Sequence, residues 1–237
     1  MGISGHIPRL PTRRESWGAP VYFAVYLTYL FLAPESELLH WLSLVIIPLL
    51  IVVVVNEPEA RAPSIVLASF GLRFGNLNRG VGWAILLGLI FSVFQIFLTS
   101  KSAEIQELIL SGKALYLYPI TFLLMMMMAG FTEEFFFRGF LQTRVEALVR
   151  SKWMAVLIVT LLFGLYHLPY AYFNPSWPSA GNWGAAWAAA MGNGVPGGLV
   201  LGILYVKSER NLVACAVLHT MINSVWAMTA IKGLGGP

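Results

Sequence analysis

The sequence predicts an all-α fold: a polytopic transmembrane helical bundle of about seven spans, bounded at about six to eight. Three observations predict it. The 237 residues are 58% hydrophobic and only 11% charged, with a mean hydropathy of +0.74, whereas a soluble domain carries about a quarter charged residues. The apolar segments are long and lack the alternation of barrel strands. Eight Trp and nine Tyr supply the aromatics that settle at bilayer interfaces.

The elements follow in chain order. Met1 to Gly18 is polar and basic, without an apolar core followed by a cleavage site, so it does not read as a secretory signal. Seven apolar segments then run roughly Pro20–Ala33, Leu38–Val55, Gly80–Thr99, Leu115–Leu148, Trp153–Leu168, Trp183–Tyr205 and Leu212–Ile231. The first is short for a bilayer, and the fourth is longer than the roughly 20 residues that cross one. Pro63–Asn78 reads as an interfacial stretch with Arg73 and Arg79 in water. Ser102–Gly112 reads as a short juxtamembrane helix, with Ile105, Leu108 and Ile109 on one face and Glu104 and Glu107 toward solvent. Residues 1–114 thus hold the tail, three spans and this helix, and residues 115–237 hold the chemistry-bearing core. Together they form a single membrane domain.

Charge orients the chain. With the N-terminus cytoplasmic, the inner segments contain Arg9, Arg13, Arg14, Arg61, Arg73, Arg79, Arg144, Arg150, Lys152, Lys207 and Arg210, against Lys101, Lys113 and Lys232 outside. That asymmetry predicts a multi-pass protein with its N-terminus in the cytoplasm, read here as that of a prokaryotic plasma membrane. Topology also accounts for the calculated pI of 9.3, so no nucleic-acid partner is expected. The partner expected from composition is the lipid bilayer.

Absences narrow the chemistry. The chain contains no Asp, which removes the aspartate pair that shares a proton in one class of intramembrane protease. No HExxH occurs. The only Gly-x-Ser is Gly2-Ile3-Ser4 in the tail, so a buried serine elbow is not supported. Cys215, the sole cysteine, rules out an internal disulfide. With His219 one turn later it could form a thiolate pair, but as a small apolar packing residue it needs no partner.

What remains is polar residues inside three spans: Glu133, Glu134 and Arg138 in the fourth, His167 in the fifth, His219 and Asn223 in the seventh. A carboxylate within a bilayer costs roughly 2.5–3.5 kcal/mol on insertion scales, so an adjacent pair marks a functional site or an ion pair locking helices. Glu134 and Arg138 are i,i+4 with the acid first, the favourable order for a helical pair. Glu133 lies about 100° further round the helix, which leaves it as the free carboxylate. His219 and Asn223 also share a helical face, so a donor from each could converge on one oxygen. Asn223 alone would read as interhelical hydrogen-bonding glue. Gly192, Gly194, Gly197, Gly198 and Pro196 either open a polar cavity in the sixth span or permit close packing through Gly198-x-x-x-Gly202.

Taken in order, Glu133-Glu134-x-x-x-Arg138, Phe163-x-x-x-His167 and His219-x-x-x-Asn223 resemble the motifs of the CPBP family of intramembrane proteases. That family includes type II CAAX prenyl endopeptidases and bacteriocin-processing and self-immunity proteins. The resemblance covers roughly Leu115 to Ile231. It implies an intramembrane endopeptidase in which Glu133 activates water, His167 assists, and His219 and Asn223 form the oxyanion site. Glu134 and Arg138 would support the site, and the partner the resemblance implies is a membrane-bound protein or peptide. No cofactor is expected, although Glu133, His167 and His219 could in principle hold zinc.

Two other readings compete. A family member could act by binding, as an immunity or regulatory protein. A proton-coupled transporter could use Glu133 as its carrier, although the chain lacks repeated halves with matching broken helices. Counting from the turns near Arg150–Lys152 and Lys207–Arg210 brings Glu133, His167 and Asn223 to one depth, provided the helices are continuous and the turns level.

Overall fold

A computed structural model of the chain describes residues 11–33, 36–55, 61–72 and 77–231. His6, Arg9, Arg73, Lys232 and the Gly2-Ile3-Ser4 triplet lie outside these residues, as do the side chains of Arg14 and Arg79. All regular structure in the described residues is helical: α1 (Arg13–Ser16), α2 (Gly18–Leu32), α3 (Leu38–Val55), α4 (Pro63–Ser69), α5 (Leu77–Leu98), α6 (Ser102–Leu110), α7 (Ala114–Val149), α8 (Lys152–Phe173), α9 (Trp183–Lys207) and α10 (Leu212–Ile231). By length and composition six of them can cross a membrane: α3, α5, α7, α8, α9 and α10. The apolar α2, at 15 residues, is the shorter first segment the sequence indicated. The chain is a multi-pass integral membrane protein of the all-α class.

Local chemistry sets the helix ends. Arg150 takes a left-handed φ of 55° to close α7, and Ser151 then caps α8 by accepting a hydrogen bond from Met154 N at 3.3 Å. Asn182 caps α9 through Ala185 N at 3.0 Å. Asn211 does the same for α10, accepting from Val213 N at 3.0 Å. Each cap satisfies an amide that the first helical turn leaves unpaired.

Helices α8 and α10 form the enclosed centre, whereas α3, α5 and α7 send side chains such as Val54, Leu98 and Leu115 outward. The buried face of α2 (Ala19, Phe23, Tyr26 and Leu30) lies on α7. There Tyr22 and Tyr26 meet Phe136 edge-on at 6.0 and 6.2 Å, and Phe23 meets Phe137 at 6.1 Å. Phe70 beyond α4 stacks on Phe135 at 4.2 Å. This aromatic sheath buries the stretch of α7 that carries the acidic pair. In α6, Ile105 and Leu108 are buried, whereas Ile109 is exposed.

The glycines of α9 are packing residues where they matter most. A Cβ on Gly194 would stand 2.8 Å from Gly164 Cα, one on Gly198 3.2 Å from Phe163 Cδ1, and one on Gly202 3.1 Å from Val156 Cγ1. This stripe lets α8 and α9 approach closely, as small residues do in membrane helices. At these positions the close-packing reading holds. Gly192 and Gly197 face open space. Gly194→Val is expected to lose about 1–3 kcal/mol through overpacking, read as a lower melting temperature in detergent, while Gly192→Ala melts no lower than the parent.

Helix α7 departs from regular winding twice, at Met126–Gly130 and Phe135–Gln142, both π-helical. The short α-helical Phe131–Glu134 lies between them. Such bulges concentrate at functional sites. Every residue from Phe135 to Gln142 is buried, so this stretch has no lipid face. The bulges also defeat simple depth counting, because π turns consume more residues for the same length. His219, rather than Asn223, therefore lies against the acidic pair.

Candidate active site

Glu134 is fully buried and held on both oxygens. Its Oε2 lies 3.2 Å from Arg138 Nε, one turn further along α7, and its Oε1 accepts a 2.8 Å hydrogen bond from His219 Nδ1 on α10. The second contact was not anticipated. Because a carboxylate can only accept, the Nδ1 proton is fixed on that side of the ring. Arg138, 1% exposed, also donates through Nη2 to Gly198 O of α9 at 3.1 Å. Its guanidinium lies 4.7 Å from the Phe163 ring centre on α8. One ion pair on α7 thus ties together α8, α9 and α10.

Glu133 is 8% exposed. Its Oε2 lies 3.9 Å from His219 Nε2, too long for a hydrogen bond, and it makes no ion pair with Arg138. The two glutamates thus meet the same imidazole unequally, Glu134 by a hydrogen bond to Nδ1 and Glu133 only at 3.9 Å from Nε2.

His167 is half-buried on α8, and its Nδ1 donates to Phe163 O at 2.7 Å. The carbonyl can only accept, so Nε2 of the neutral ring keeps its lone pair for other work. Phe163 lies between the two imidazoles, with ring centres 4.6 Å from His167 and 6.0 Å from His219. His167 is near enough to Glu133, His219 and Arg138 to feel their charges. Residues from three helices that are distant in sequence thus meet around one aromatic ring.

Asn223 lies one turn beyond His219 on α10 and is half-buried. Among the described residues its amide has no hydrogen-bond partner. Asn223→Ala is expected to lower kcat by about 10²–10³-fold, the loss typical of one oxyanion donor, with the melting temperature unchanged.

The remaining candidates fall elsewhere. Cys215 is buried, with Sγ 3.6 Å from Leu201 O, which is the packing role and not a thiolate pair with His219. Among the described residues, no group of three or more His, Cys, Asp or Glu side chains could hold a metal ion.

One neighbour escaped the sequence reading. His40, near the start of α3, donates through Nε2 to Thr132 Oγ1 at 3.2 Å, and that hydroxyl donates in turn to Met128 O at 2.9 Å. Trp41 stacks on Phe131 at 6.2 Å. The two residues that precede Glu133 are thereby fixed to α3. The scarcity of His, four in all, was the only available signal, and it could not connect residue 40 with residue 132.

Compared with known proteins, residues 115–225 match the family model described as type II CAAX prenyl endopeptidase Rce1-like. The matched segment runs from α7 to Val225 of α10 and contains Glu133, Glu134, Arg138, His167, His219 and Asn223. No curated protein and no solved structure matches the chain. Over the matched segment, just under half of the chain, this multi-pass membrane protein is similar to the type II CAAX prenyl endopeptidase Rce1-like family.

Proposed function

We propose that the protein is an intramembrane endopeptidase that hydrolyses a peptide bond of a membrane-associated or C-terminally lipidated protein, using water activated by Glu133. The observation that carries this reading is the unequal environment of the two glutamates. Glu134 is held by an ion pair with Arg138 at 3.2 Å and a hydrogen bond from His219 at 2.8 Å, whereas the nearest charged partner of Glu133 is His219 Nε2 at 3.9 Å.

Hydrolysis needs a base for water, a stabiliser for the oxyanion and a proton for the leaving amine. Glu133 removes a proton from water as the oxygen attacks the scissile carbonyl, and returns that proton to the departing nitrogen. His167 Nε2 orients the water. The oxyanion accepts from the Asn223 amide and from His219 Nε2–H. Since Nδ1 already donates to Glu134, this role requires His219 to carry both ring protons. Two carboxylates then face two cations, Arg138 and His219, and the buried group is neutral in formal charge. That balance is what a low-dielectric interior demands of ionised side chains.

The proposed mechanism is free of metal. The hydrogen bonds made by both Nδ1 atoms also occur behind metal-bound histidines, so chelation is the discriminating test. Activity is expected to survive extended chelator treatment. Loss on chelation with recovery on added zinc would assign Glu133, His167 and His219 to a metal instead. Comparing the membrane proteomes of cells carrying the parent protein and Glu133→Gln tests the function itself. The expected result is one or more truncated membrane proteins that disappear in the variant. Unchanged proteomes combined with proton-driven solute uptake in vesicles would favour the transporter reading, and unchanged proteomes without uptake the binding role.

A further inference from the structure

The two glutamates of α7 are placed by different means. Glu134 is fixed at its carboxylate, by Arg138 and by His219. The Glu133 carboxylate has no comparable hold, its nearest charged partner being His219 Nε2 at 3.9 Å. Its direction is therefore set by the backbone of its own turn. That turn, Phe131–Glu134, is a single α-helical one between two π-helical stretches, so no even hydrogen-bond ladder braces it on either side. The contacts that hold its first residues accordingly aim Glu133.

Those contacts come from α3, a span outside residues 115–225. His40, half-buried in the first turn of α3, donates through Nε2 to Thr132 Oγ1 at 3.2 Å. Thr132 is fully buried, and its hydroxyl donates to Met128 O at 2.9 Å, within the first π-helical stretch. One hydroxyl thus joins α3, the π-helical stretch and the turn that carries Glu133. Trp41 adds a ring stacked on Phe131 at 6.2 Å. This part of α3 is itself buttressed. Directly after Trp41 it winds as a π-helix over Leu42–Ile46, and Tyr22 Oη of α2 donates to Ser43 O there at 2.8 Å. Helix α10 packs on the residue just ahead of the turn, where a Cβ on Gly130 would run into Thr220 Oγ1 and stand 2.9 Å from Ala216 O.

We propose that His40 is a positioning residue for Glu133, acting through Thr132. It touches neither the substrate nor the reacting atoms. Its hydrogen bond holds the Phe131–Glu134 turn so that the Glu133 carboxylate meets the attacking water at the required distance and angle. The proposal rests on the proteolytic reading above, and it extends the active-site machinery to a helix outside the segment that matches the family. The demand on geometry is steep, because displacing a reacting group by about 1 Å costs on the order of 10²-fold in rate.

The purified full-length protein is assayed with the peptide whose cleavage depends on Glu133. His40→Ala is expected to lower kcat by about 10–100-fold, with KM and the melting temperature nearly parental. His40→Gln, whose side-chain amide can donate to Thr132 in place of Nε2, is expected to restore most of kcat. Thr132→Val keeps the shape but removes the acceptor. It should repeat the loss, and combining it with His40→Ala should cost little more, as for two members of one contact. Parental kcat in His40→Ala overturns the proposal. So does a loss that His40→Gln leaves uncorrected, which a mere packing contact would give. If His40→Ala does not fold, parental turnover in Thr132→Val overturns it. Backbone hydrogen exchange needs no substrate: the Phe131–Glu134 amides should exchange faster in His40→Ala and at the parental rate in His40→Gln. Unchanged exchange in His40→Ala also overturns it. Failure of the proteolytic reading is recognised separately, by normal cleavage in Glu133→Gln.

Discussion

Glu133→Gln is expected to reduce peptide-bond cleavage by about 10²–10⁴-fold, the usual contribution of a positioned base, while the protein remains inserted and melts at the parental temperature. The amide keeps the shape of the carboxylate but cannot remove a proton from water. The fold should tolerate the change because the Glu133 carboxylate makes no close ion pair, its nearest charged partner being His219 Nε2 at 3.9 Å. Turnover with the identified peptide and thermal unfolding in detergent, measured on one preparation, separate the two effects. Normal turnover would mean that Glu133 is not the base.

Arg138→Ala is expected to act in the opposite manner, with stability lost first and activity as a consequence. Removing the guanidinium leaves Glu134 buried beside His219 without its ion-pair partner, and also removes the contacts to Gly198 O and to the Phe163 ring. Breaking a buried pair from one side costs about 3–5 kcal/mol, on the order of 10 °C in melting temperature for a chain of this size. The double variant Glu134→Gln with Arg138→Met should melt higher than Arg138→Ala, because no uncompensated charge then remains. If Arg138→Ala melts like the parent, the pair does not hold α7, α8, α9 and α10 together.

The fold was legible in the sequence because a bilayer enforces a simple rule: long apolar segments become helices that satisfy their own backbone. Leu38–Val55, Trp183–Tyr205 and Leu212–Ile231 needed no further information, the helix of the second running on to Lys207. The site was legible because ionised residues are scarce in such segments, so Glu133, Glu134, Arg138, His167 and His219 stood out without any structural knowledge. What counting could not supply was phase. The π-helical turns at Met126–Gly130 and Phe135–Gln142 shift every later residue relative to an even α-helix, and no residue type announces them. For that reason Asn223 was assigned to the depth that His219 occupies. The contacts of His40 with Thr132 and of Gly71 with the α9–α10 turn were invisible for another reason. They join segments that are remote in sequence, and their residue types carry no motif.

The central claim is that Glu133 activates water and does not itself attack the carbonyl. A single turnover in H₂¹⁸O, with the peptide whose cleavage depends on Glu133, tests it most directly, read by mass spectrometry of both the product and the enzyme peptide containing Glu133. The account predicts one ¹⁸O in the new product carboxylate and none in Glu133. ¹⁸O in the Glu133 carboxylate, with unlabelled product, would contradict it.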